Sequence, residues 1–453
     1  MKITDLNKEK RIGANSLYIE AGPFKLVIDA GLDPKSIGNA AMPDFEFTEA
    51  DSLDCIILTH CHLDHLGSLP VLARRNPNAP IYMSPPTEVL AVRMLRNSIN
   101  VMKRQKLEKN IPELPLYSYP DLDRVYNNSQ VVKFAKIKEL HKDGETLSIT
   151  FHPSGHIPGA SALIIEYNNK KTLFSGDILF KEQHILSGAK IPDEKIDAIV
   201  LETTRGATQR APEHDRSLEL KRLLEVIIET YENDGCCLIP VFALGRMQEM
   251  LSLIHSSINE GVLPEIPVFC TGLGMDIANY MDTIHKKTGL VKFQKKIIRE
   301  LKVAPPSRNL KPGRTPAEKG IYLLSSGMLV EHTPSYIAAA SILDAPENNI
   351  CFVGYCDPST PGGALRNSQQ GDSFYFNTLE YEATVNAGIH TFDLSGHADR
   401  EELMQFAIDK SPETIFLTHG DLEAREWFFN ELTKVKKDGQ IIINPEPKIT
   451  YNL

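Results

Sequence analysis

The sequence has neither the cysteine pattern of a disulfide-stapled protein nor a hydrophobic run long enough to span a membrane. Seven cysteines occur among 453 residues, and no two of them form a CxxC pair. An odd number without such pairs argues against a disulfide framework and against a cysteine zinc finger. The N-terminus also lacks the apolar core of a signal peptide. The chain is therefore expected to be cytoplasmic, without a membrane partner.

Positive charge is in the minority overall but is concentrated in one segment. Lys and Arg number 49 against 59 Asp and Glu, and the formal net charge of -10 argues against non-specific nucleic-acid binding by the whole chain. Between residues 286 and 319, however, only Glu300 and Glu318 oppose a run of basic residues. These are Lys286, Lys287, Lys292, Lys295, Lys296, Arg299, Lys302, Arg308, Lys311, Arg314 and Lys319. The segment is either a solvated helix face or a local binding surface for a polyanion.

The order of predicted elements indicates one domain interrupted by another. A chain of 453 residues is too long for one compact core. Short strands separated by turns dominate up to about residue 205. Strands then alternate with amphipathic helices, which is typical of a parallel sheet covered by helices. We therefore predict an outer domain formed by residues 1–205 and 382–453, and an inserted α/β domain formed by residues 206–381.

Histidine and aspartate residues follow several of the predicted strands. They are His60, His62, Asp64 and His65 in "ILTHCHLDHLG", His156 in "PSGHIPGAS", Asp177 in "FSGD" and His419 in "FLTHGD". Because strand ends meet at one rim of a layered fold, we expect these side chains to converge. Five histidines and two aspartates suffice for two metal ions that share a carboxylate. With three protein ligands and a shared water for each ion, such a site is catalytic rather than structural.

These motifs resemble those of the metallo-β-lactamase superfamily. The resemblance implies an αββα sandwich with a di-zinc site at one edge. It groups the ligands as His60, His62 and His156 for one zinc, Asp64, His65 and His419 for the other, and Asp177 as the bridge. Asp29 in "VIDAGL" matches an aspartate that orients the metal-binding loop in this superfamily. A histidine-rich site suits two Zn²⁺ ions per chain, with Mn²⁺ as the alternative metal.

Further motifs resemble the β-CASP subfamily of nucleases, in particular the cleavage and polyadenylation endonuclease and its prokaryotic relatives. They are "LETT", "PVFALGRMQEM", "LLSSGML", "FVGY" and "DLSGHAD". By this resemblance Glu202, His397 and His419 belong to motifs A, B and C. The sequence departs from the family pattern in two places. Arg205 stands where the family often has a tyrosine, and the segment "GYCDPSTPGGALRN" differs from the run that is usual there. We expect neither the KH domain of many archaeal relatives nor the C-terminal domain of ribonuclease J.

The resemblance implies a ribonuclease that hydrolyses phosphodiester bonds of single-stranded RNA, as an endonuclease, a 5′–3′ exonuclease or both. Two metal ions would generate hydroxide from a shared water and neutralise charge in the transition state. Asp64, Glu202 and His397 are the expected catalytic residues. His397 suits a general acid because the ordinary pKa of histidine is close to neutral pH, and Glu202 would orient it.

Weaker candidates for contacts with substrate phosphate lie in turns beside glycine. They are Ser325 and Ser326 in "SSG", Ser395 in "LSGH" and Arg246 in "ALGRMQ". Hydroxyl groups and turn amides can hold a phosphate, although isolated Ser-Gly turns are more often structural. The basic segment 286–319 would then follow the backbone of the bound strand.

Other functions compete with this prediction. A DNA nuclease of the cross-link repair type resembles it but generally lacks a histidine at motif C, so His419 favours RNA. A non-catalytic or partner-dependent subunit of an RNA-processing complex is the second alternative, but such subunits have lost metal ligands that this sequence retains. A small-molecule hydrolase would leave Glu202 and His397 without a role. For assembly, a homodimer and a processing complex are both left open.

Overall fold

The computed structural model describes residues 1–210, 215–307 and 310–453, so that Arg308 of the basic segment lies outside the described residues. The chain divides into two compact units. The first unit consists of Met1–Glu182, Leu186–Gln209 and His397–Leu453, and the second of Gln183–Ile185 and Arg210–Gly396. No helix in the described ranges is both long and apolar enough to cross a membrane.

The strands are numbered in chain order. They are β1 (Lys2–Asp5), β2 (Leu17–Ala21), β3 (Phe24–Ile28), β4 (Cys55–Ile57), β5 (Ile81–Met83), β6 (Ser129–Val131), β7 (Ile137–Lys142), β8 (Glu145–Pro153), β9 (Ser161–Tyr167), β10 (Lys170–Phe174), β11 (Ala198–Glu202), β12 (Cys236–Pro240), β13 (Val268–Cys270), β14 (Gly320–Leu324), β15 (Asn349–Phe352), β16 (Ser373–Phe376), β17 (Tyr381–Thr384), β18 (Gly388–Thr391), β19 (Thr414–Thr418), β20 (Ile441–Ile443) and β21 (Thr450–Asn452).

The helices are numbered in the same way. They are α1 (Leu63–Leu66), α2 (Leu69–Arg75), α3 (Pro85–Lys109), α4 (Tyr119–Asn128), α5 (Arg216–Glu232), α6 (Arg246–Asn259), α7 (Leu273–Thr288), α8 (Lys296–Glu300), α9 (Pro334–Ile342), α10 (Pro361–Arg366), α11 (Arg400–Lys410) and α12 (Leu422–Val435). Gly38–Ala41, Phe45–Phe47 and Asn377–Leu379 form 3₁₀ helices.

The first unit contains two seven-stranded sheets that share one hydrophobic core. Their strand orders are β21-β1-β2-β3-β4-β5-β6 and β20-β19-β11-β10-β9-β8-β7. Because side chains alternate along a strand, Cys55 and Ile57 of β4 face this core while Ile56 faces the opposite side. The core also contains Phe151 and Phe416 of the second sheet. Burying a side chain of this size stabilises the fold by roughly 2–3 kcal/mol.

Helices cover the outer sides of these sheets. Leu403 of α11 and Phe428 of α12 pack against Ile199 and Leu417 on the outer face of the second sheet. Helix α3 contacts β6 at the edge of the first sheet. Asp399 caps the N-terminus of helix α11, and its side chain accepts a hydrogen bond from the Glu402 amide in a capping box. This layering confirms the predicted αββα sandwich.

The second unit is built on a five-stranded sheet in the order β13-β14-β12-β15-β18, and all of its neighbouring strands are parallel. Helices α5, α6 and α9 contact this sheet, as expected for strands connected by crossover helices. Strands β16 and β17 form a separate antiparallel pair. The predicted α/β insert with a mostly parallel sheet is therefore confirmed.

The limits of the compact units differ from the predicted domain limits of 205/206 and 381/382. Strand β18 pairs in parallel with β15, which keeps residues up to Gly396 in the second unit. At the other end, residues up to Gln209 stay with the first unit. The division into domains at 1–205, 206–381 and 382–453 remains a prediction.

Candidate metal centre

The predicted metal ligands lie together at strand ends in the first unit. His60 and His62 follow β4, Asp64 and His65 lie in α1, and His156, Asp177 and His419 follow β8, β10 and β19. Their ligand atoms form two groups, and within each group the atoms lie within 4.8 Å of one another. The first group consists of His60, His62, His156 and Asp177, and the second of Asp64, His65 and His419. Each group could hold a metal ion.

Three imidazole rings and one carboxylate oxygen converge in the first group. His156 Nε2 is 3.0 Å from His62 Nδ1. Asp177 Oδ2 is 3.5 Å from His60 Nε2 and 3.6 Å from His156 Nε2. Ligands placed about 2.0–2.1 Å from a tetrahedral zinc ion are separated by about 3.3 Å from each other. The observed separations fit a set of ligands around one ion.

The second group is linked to the first through Asp177. His419 Nε2 lies 3.1 Å from His65 Nε2 and 3.4 Å from Asp64 Oδ2. Asp177 Oδ1 lies 3.4 Å from His65 Nε2, whereas its Oδ2 faces His60 and His156. The two oxygen atoms of one carboxylate thus point to different groups, so Asp177 could be a ligand that both groups share.

Burial makes this arrangement unfavourable without a cation. His60 is fully buried and Asp177 is 2% exposed. Within the described ranges, the polar contacts of His60 Nε2 and Asp177 Oδ1 are 3.4 Å or longer and neither atom forms a hydrogen bond of normal geometry, and a buried polar atom left unsatisfied costs about 1–3 kcal/mol. A divalent cation would supply the missing partner for both. The donor set therefore fits a metal ion, and its imidazole nitrogens suit zinc.

The pKa shifts of His60 and Asp177 favour the forms that bind metal, whereas Asp177, Asp29 and Asp64 raise the pKa of His65 well above its usual value despite burial. Burial, followed by the charge of His65, lowers the pKa of His60 well below its usual value, so its ring is neutral. Burial alone would raise the pKa of Asp177, but His419, His65 and His60 together hold it well below its usual range. Neutral imidazole and ionised carboxylate are the forms that coordinate zinc.

Asp29 contacts His65 of the second group at Nδ1, the ring nitrogen that does not face His419. Its Oδ2 lies 2.7 Å from His65 Nδ1, and its Oδ1 accepts a 2.7 Å hydrogen bond from the Thr59 amide. The Thr59 hydroxyl donates to Oδ2 over 2.7 Å. A carboxylate on one ring nitrogen fixes the ring so that the other nitrogen faces the metal. Thr59, which sequence reasoning missed, completes this contact.

Unusual backbone conformations place two of the candidate ligands. Asp177 follows Gly176, which has a φ of 52°, and a Cβ there would lie 2.7 Å from the Ser161 carbonyl oxygen. His419 has a φ of 46°, which is rare for a residue with a side chain. Its Nδ1 lies 2.8 Å from the Thr204 hydroxyl oxygen. Thr204 was also missed, because only its position as the second threonine of "LETT" sets it apart from other threonines.

Glu202 and His397 form a third group with Asp177. His397 Nδ1 lies 3.1 Å and 3.0 Å from the two oxygens of Glu202, and its Nε2 is 4.0 Å from Asp177 Oδ2. Burial lowers the pKa of His397, but Glu202 and Asp177 outweigh it, so the net pKa is raised. Glu202 also accepts a 2.7 Å hydrogen bond from the Ile178 amide and one from the Thr204 hydroxyl. The ring is thus held in one orientation beside the ligand groups.

The weaker candidates belong to the second unit. The Ser326 hydroxyl accepts a hydrogen bond from the Val330 amide, and the Ser325 carbonyl accepts one from the Ser335 amide. The Ser395 carbonyl accepts a hydrogen bond from Arg216. Arg246 begins α6, and burial together with the charge of Arg216 lowers its pKa to about 10. These contacts position turns, and a role in phosphate binding remains a prediction.

Models of three known domains match the chain. Residues 10–227 match the metallo-beta-lactamase superfamily, residues 247–365 the Beta-Casp domain, and residues 382–444 a domain described as a Zn-dependent metallo-hydrolase RNA specificity domain. A crystal structure of a protein of unknown function from Enterococcus faecalis shares the fold, with a TM-score of 0.55, 13% identity and coverage of 100% of this chain and 99% of that one.

Curated relatives are similar over almost the whole chain. The transcription termination factor FttA of Pyrococcus abyssi is 28% identical over 93% of this chain and 67% of its own length. The Thermococcus kodakarensis factor of the same name shows the same figures. Cleavage and polyadenylation specificity factor 73 of Drosophila melanogaster is 26% identical over 96% of this chain and 61% of its own. The chain spans about two thirds of the length of these relatives. It belongs to the metallo-β-lactamase superfamily and, within that superfamily of metal-dependent hydrolases, to the β-CASP proteins.

Proposed function

We propose that the protein is a zinc-dependent ribonuclease that hydrolyses phosphodiester bonds of single-stranded RNA. The observation that carries the proposal is the Glu202–His397 pair, whose ring lies beside Asp177 and the two ligand groups. A set of metal ligands by itself is compatible with many classes of hydrolase. A histidine held by a carboxylate adds the proton donor that a phosphodiester leaving group needs.

In this proposal, His60, His62, His156 and Asp177 would hold one zinc ion, and Asp64, His65 and His419 would hold a second. When bound at these residues, zinc would supply a water nucleophile at neutral pH and would neutralise negative charge on the phosphoryl group. Glu202 keeps His397 protonated and in place through Nδ1. His397 Nε2 then donates its proton to the leaving oxygen. Thr204 and the Ile178 amide fix Glu202 for this task.

The choice of RNA rests on the relatives and on the match to an RNA specificity domain. One relative is named as a transcription termination factor and another as a cleavage and polyadenylation factor. His419 occupies motif C, which favours RNA over the DNA nucleases of cross-link repair. Ser325, Ser326, Ser395 and Arg246 are proposed to contact substrate phosphate. We place the activity in the cytoplasm.

The test uses zinc-loaded protein and one single-stranded RNA, labelled at the 5′ end in one reaction and at the 3′ end in another. The matching DNA, the His397→Ala variant and a His141→Ala control run on the same denaturing gel. His141 is an exposed histidine of β7, so its loss should leave cleavage unchanged. Internal RNA fragments that disappear only in His397→Ala support an endonuclease. Mononucleotide released from the 5′ label alone supports a 5′–3′ exonuclease.

Two results would contradict the proposal. If protein with two bound zinc ions cleaves neither polymer, the protein is not a stand-alone nuclease. If DNA is cleaved and RNA is not, the cross-link repair alternative is correct.

A further inference from the structure

We propose that a groove in the second unit binds the sugar-phosphate backbone of single-stranded RNA. This basic groove lies where the C-terminal part of α7 and the following residues meet α8. Five positively charged side chains line it, namely Lys286, Lys295, Lys296, Arg299 and Lys302. The identity of the polymer rests on the proposed function, whereas the groove and its charge do not.

The charge of the basic groove is available to a ligand. Lys295, Lys296 and Arg299 are exposed, and none of them forms an ion pair with a carboxylate in the described parts of the chain. The carboxylate that lines the groove, Asp282, is occupied by Lys286 at 2.6 Å and by the Lys295 amide at 2.9 Å. Three cations therefore face solvent without a counter-charge.

The sequence around the groove is also rich in positive charge, although the whole chain is acidic. Residues 286–302 contain seven Lys or Arg residues and one acidic residue, in a chain with a net charge of -10. The acidic residue, Glu300, pairs with His255 at 2.7 Å. Lys302 contacts Glu265 at 3.4 Å, but both side chains are more than 80% exposed, so this pair is weak and easily exchanged for a phosphate. Positive charge is thus gathered at one place on an otherwise acidic protein.

The side chains that line the groove indicate which part of the polymer it contacts. The groove is open to solvent and has a volume of about 620 Å³. Its lining contains Ile298 and Val303 but no aromatic side chain. Without an aromatic platform the groove cannot stack bases, so it should contact phosphates and carry little sequence preference. It would anchor the strand rather than select it.

A lipid surface fits these residues less well. Membrane-surface helices combine a basic face with a broad apolar face of large side chains. Helix α8 has only five residues, and its Ile297 is buried in the protein. A chain of closely spaced phosphates matches closely spaced Lys and Arg side chains better.

The test measures RNA binding by fluorescence anisotropy with the zinc-loaded full chain. Every protein carries His397→Ala so that the labelled RNA stays intact. The groove variant is Lys295→Ala/Lys296→Ala/Arg299→Ala. The matched control, Lys109→Ala/Lys133→Ala/Lys136→Ala, removes three exposed positive charges from the first unit. Titrations at several salt concentrations give the slope of log K against log salt.

The groove variant should bind about ten- to a hundred-fold more weakly at low salt, with a slope shallower by about 2, since each phosphate contact contributes about 0.7. The control should stay within about two-fold of the parent, because distant exposed charges are screened. A second groove variant, Lys286→Ala/Lys302→Ala, leaves α8 intact and should shift binding in the same direction. Thermal melts show whether each variant is folded.

The outcomes separate this inference from the proposed function. If folded groove variants keep the parent affinity and slope, the groove does not bind RNA, whatever the activity of the wild-type protein. If the groove variants lose binding while wild-type protein fails to cleave RNA, the groove assignment stands and the ribonuclease proposal fails. If the control loses as much affinity as the groove variant, binding reflects overall charge and the inference is overturned.

Discussion

Glu202 contacts His397 through both of its carboxylate oxygens, which lie 3.1 Å and 3.0 Å from Nδ1 of the ring. The two residues are 195 positions apart in the sequence. Glu202 ends β11, and its amide donates a 2.9 Å hydrogen bond to the Ser175 hydroxyl oxygen. A carboxylate anchored at several points can orient a ring that is itself attached to a loop. The pair therefore couples a rigid strand to the proposed proton donor.

Replacing Glu202 with glutamine should slow RNA cleavage without removing zinc. The amide keeps the shape of the side chain but loses the charge that favours protonated His397. We expect kcat to fall about ten- to a hundred-fold, somewhat less than the 10²–10⁴-fold typical for loss of a general acid. Single-turnover cleavage rates and zinc content by mass spectrometry measure the two effects separately.

The control for this substitution is Glu413→Gln, which changes an exposed glutamate that pairs with Lys170 on the surface. Its cleavage rate should equal that of the wild type. If Glu202→Gln cleaves at the wild-type rate, Glu202 does not orient the proton donor. If it loses zinc instead, Glu202 acts as a metal ligand.

Removal of metal should destabilise the protein. The ligand groups bury histidine and aspartate atoms that lack other partners among the described residues. A ligand that binds only the folded state stabilises it by about 2.7 kcal/mol at a free concentration one hundred times its Kd. Chelation should therefore lower the melting temperature by several degrees, and added zinc should restore it. Calorimetry with and without chelator measures the change.

The Asp177→Asn variant provides the comparison for this experiment. Because Asp177 faces both ligand groups, its loss should reduce the zinc content below two ions per chain and weaken the thermal response to zinc. Magnesium should not replace zinc, since imidazole-rich sites disfavour it. An unchanged melting temperature after complete chelation would show that the site is not a stabilising metal centre.

The sequence was sufficient to predict which histidine and aspartate side chains lie together, because the pattern that identifies them is local. His60, His62 and Asp64 follow one apolar run at alternating positions, and strand ends meet at one rim of a layered fold. Thr59 and Thr204 could not be predicted in the same way. Threonine is common beside strands, and its hydroxyl acquires a role only when Asp29 or His419 is brought to it in space.

The pairing of strands that are distant in the sequence could not be predicted either. Strand β1 pairs with β21 in the register Ile3 with Tyr451, so the two ends of the chain complete one sheet. Both strands are short and carry polar residues, which leaves no distinctive apolar pattern. Strand β18 joins the parallel sheet of the second unit by pairing with β15, although it falls within residues 382–453, which were predicted to belong to the outer domain. Local periodicity reveals that a strand exists but not which sheet it joins.

Asp29→Asn should weaken zinc binding. The carboxylate lies 2.7 Å from His65 Nδ1, and loss of such a supporting contact lowers metal affinity about 10–100-fold. Asparagine tolerates the positive φ of 64° at this position, so the turn should persist. Competition with a chromogenic chelator measures the zinc affinity.

Asp143→Asn is the matched control for Asp29→Asn. Asp143 also has a positive φ, at 52°, but it is exposed and lies in the turn between β7 and β8. Its replacement should leave zinc affinity unchanged. Equal affinities for the Asp29 and Asp143 variants would mean that His65 needs no carboxylate support.

The buried Arg425 should stabilise the loop that carries His419. Its side chain is fully buried, its Nε donates a 2.8 Å hydrogen bond to the Gly420 carbonyl, and its Nη1 lies 3.7 Å from Oδ2 of the equally buried Asp5. Arg425→Met would leave Asp5 without its cation, which costs about 3–5 kcal/mol for a buried pair. Denaturant unfolding of metal-free protein measures the change without interference from zinc.

The double variant Asp5→Leu/Arg425→Met separates charge from packing. Removing both partners leaves no isolated buried charge, so much of the lost stability should return. Arg104→Met serves as the control, because Arg104 forms a half-exposed pair with Glu108 one turn along α3 and its loss should change stability by less than about 0.5 kcal/mol. If Arg425→Met is as stable as Arg104→Met, the pair contributes nothing to the fold. If the double variant is no more stable than Arg425→Met, the loss comes from the Gly420 contact rather than from the unpaired carboxylate.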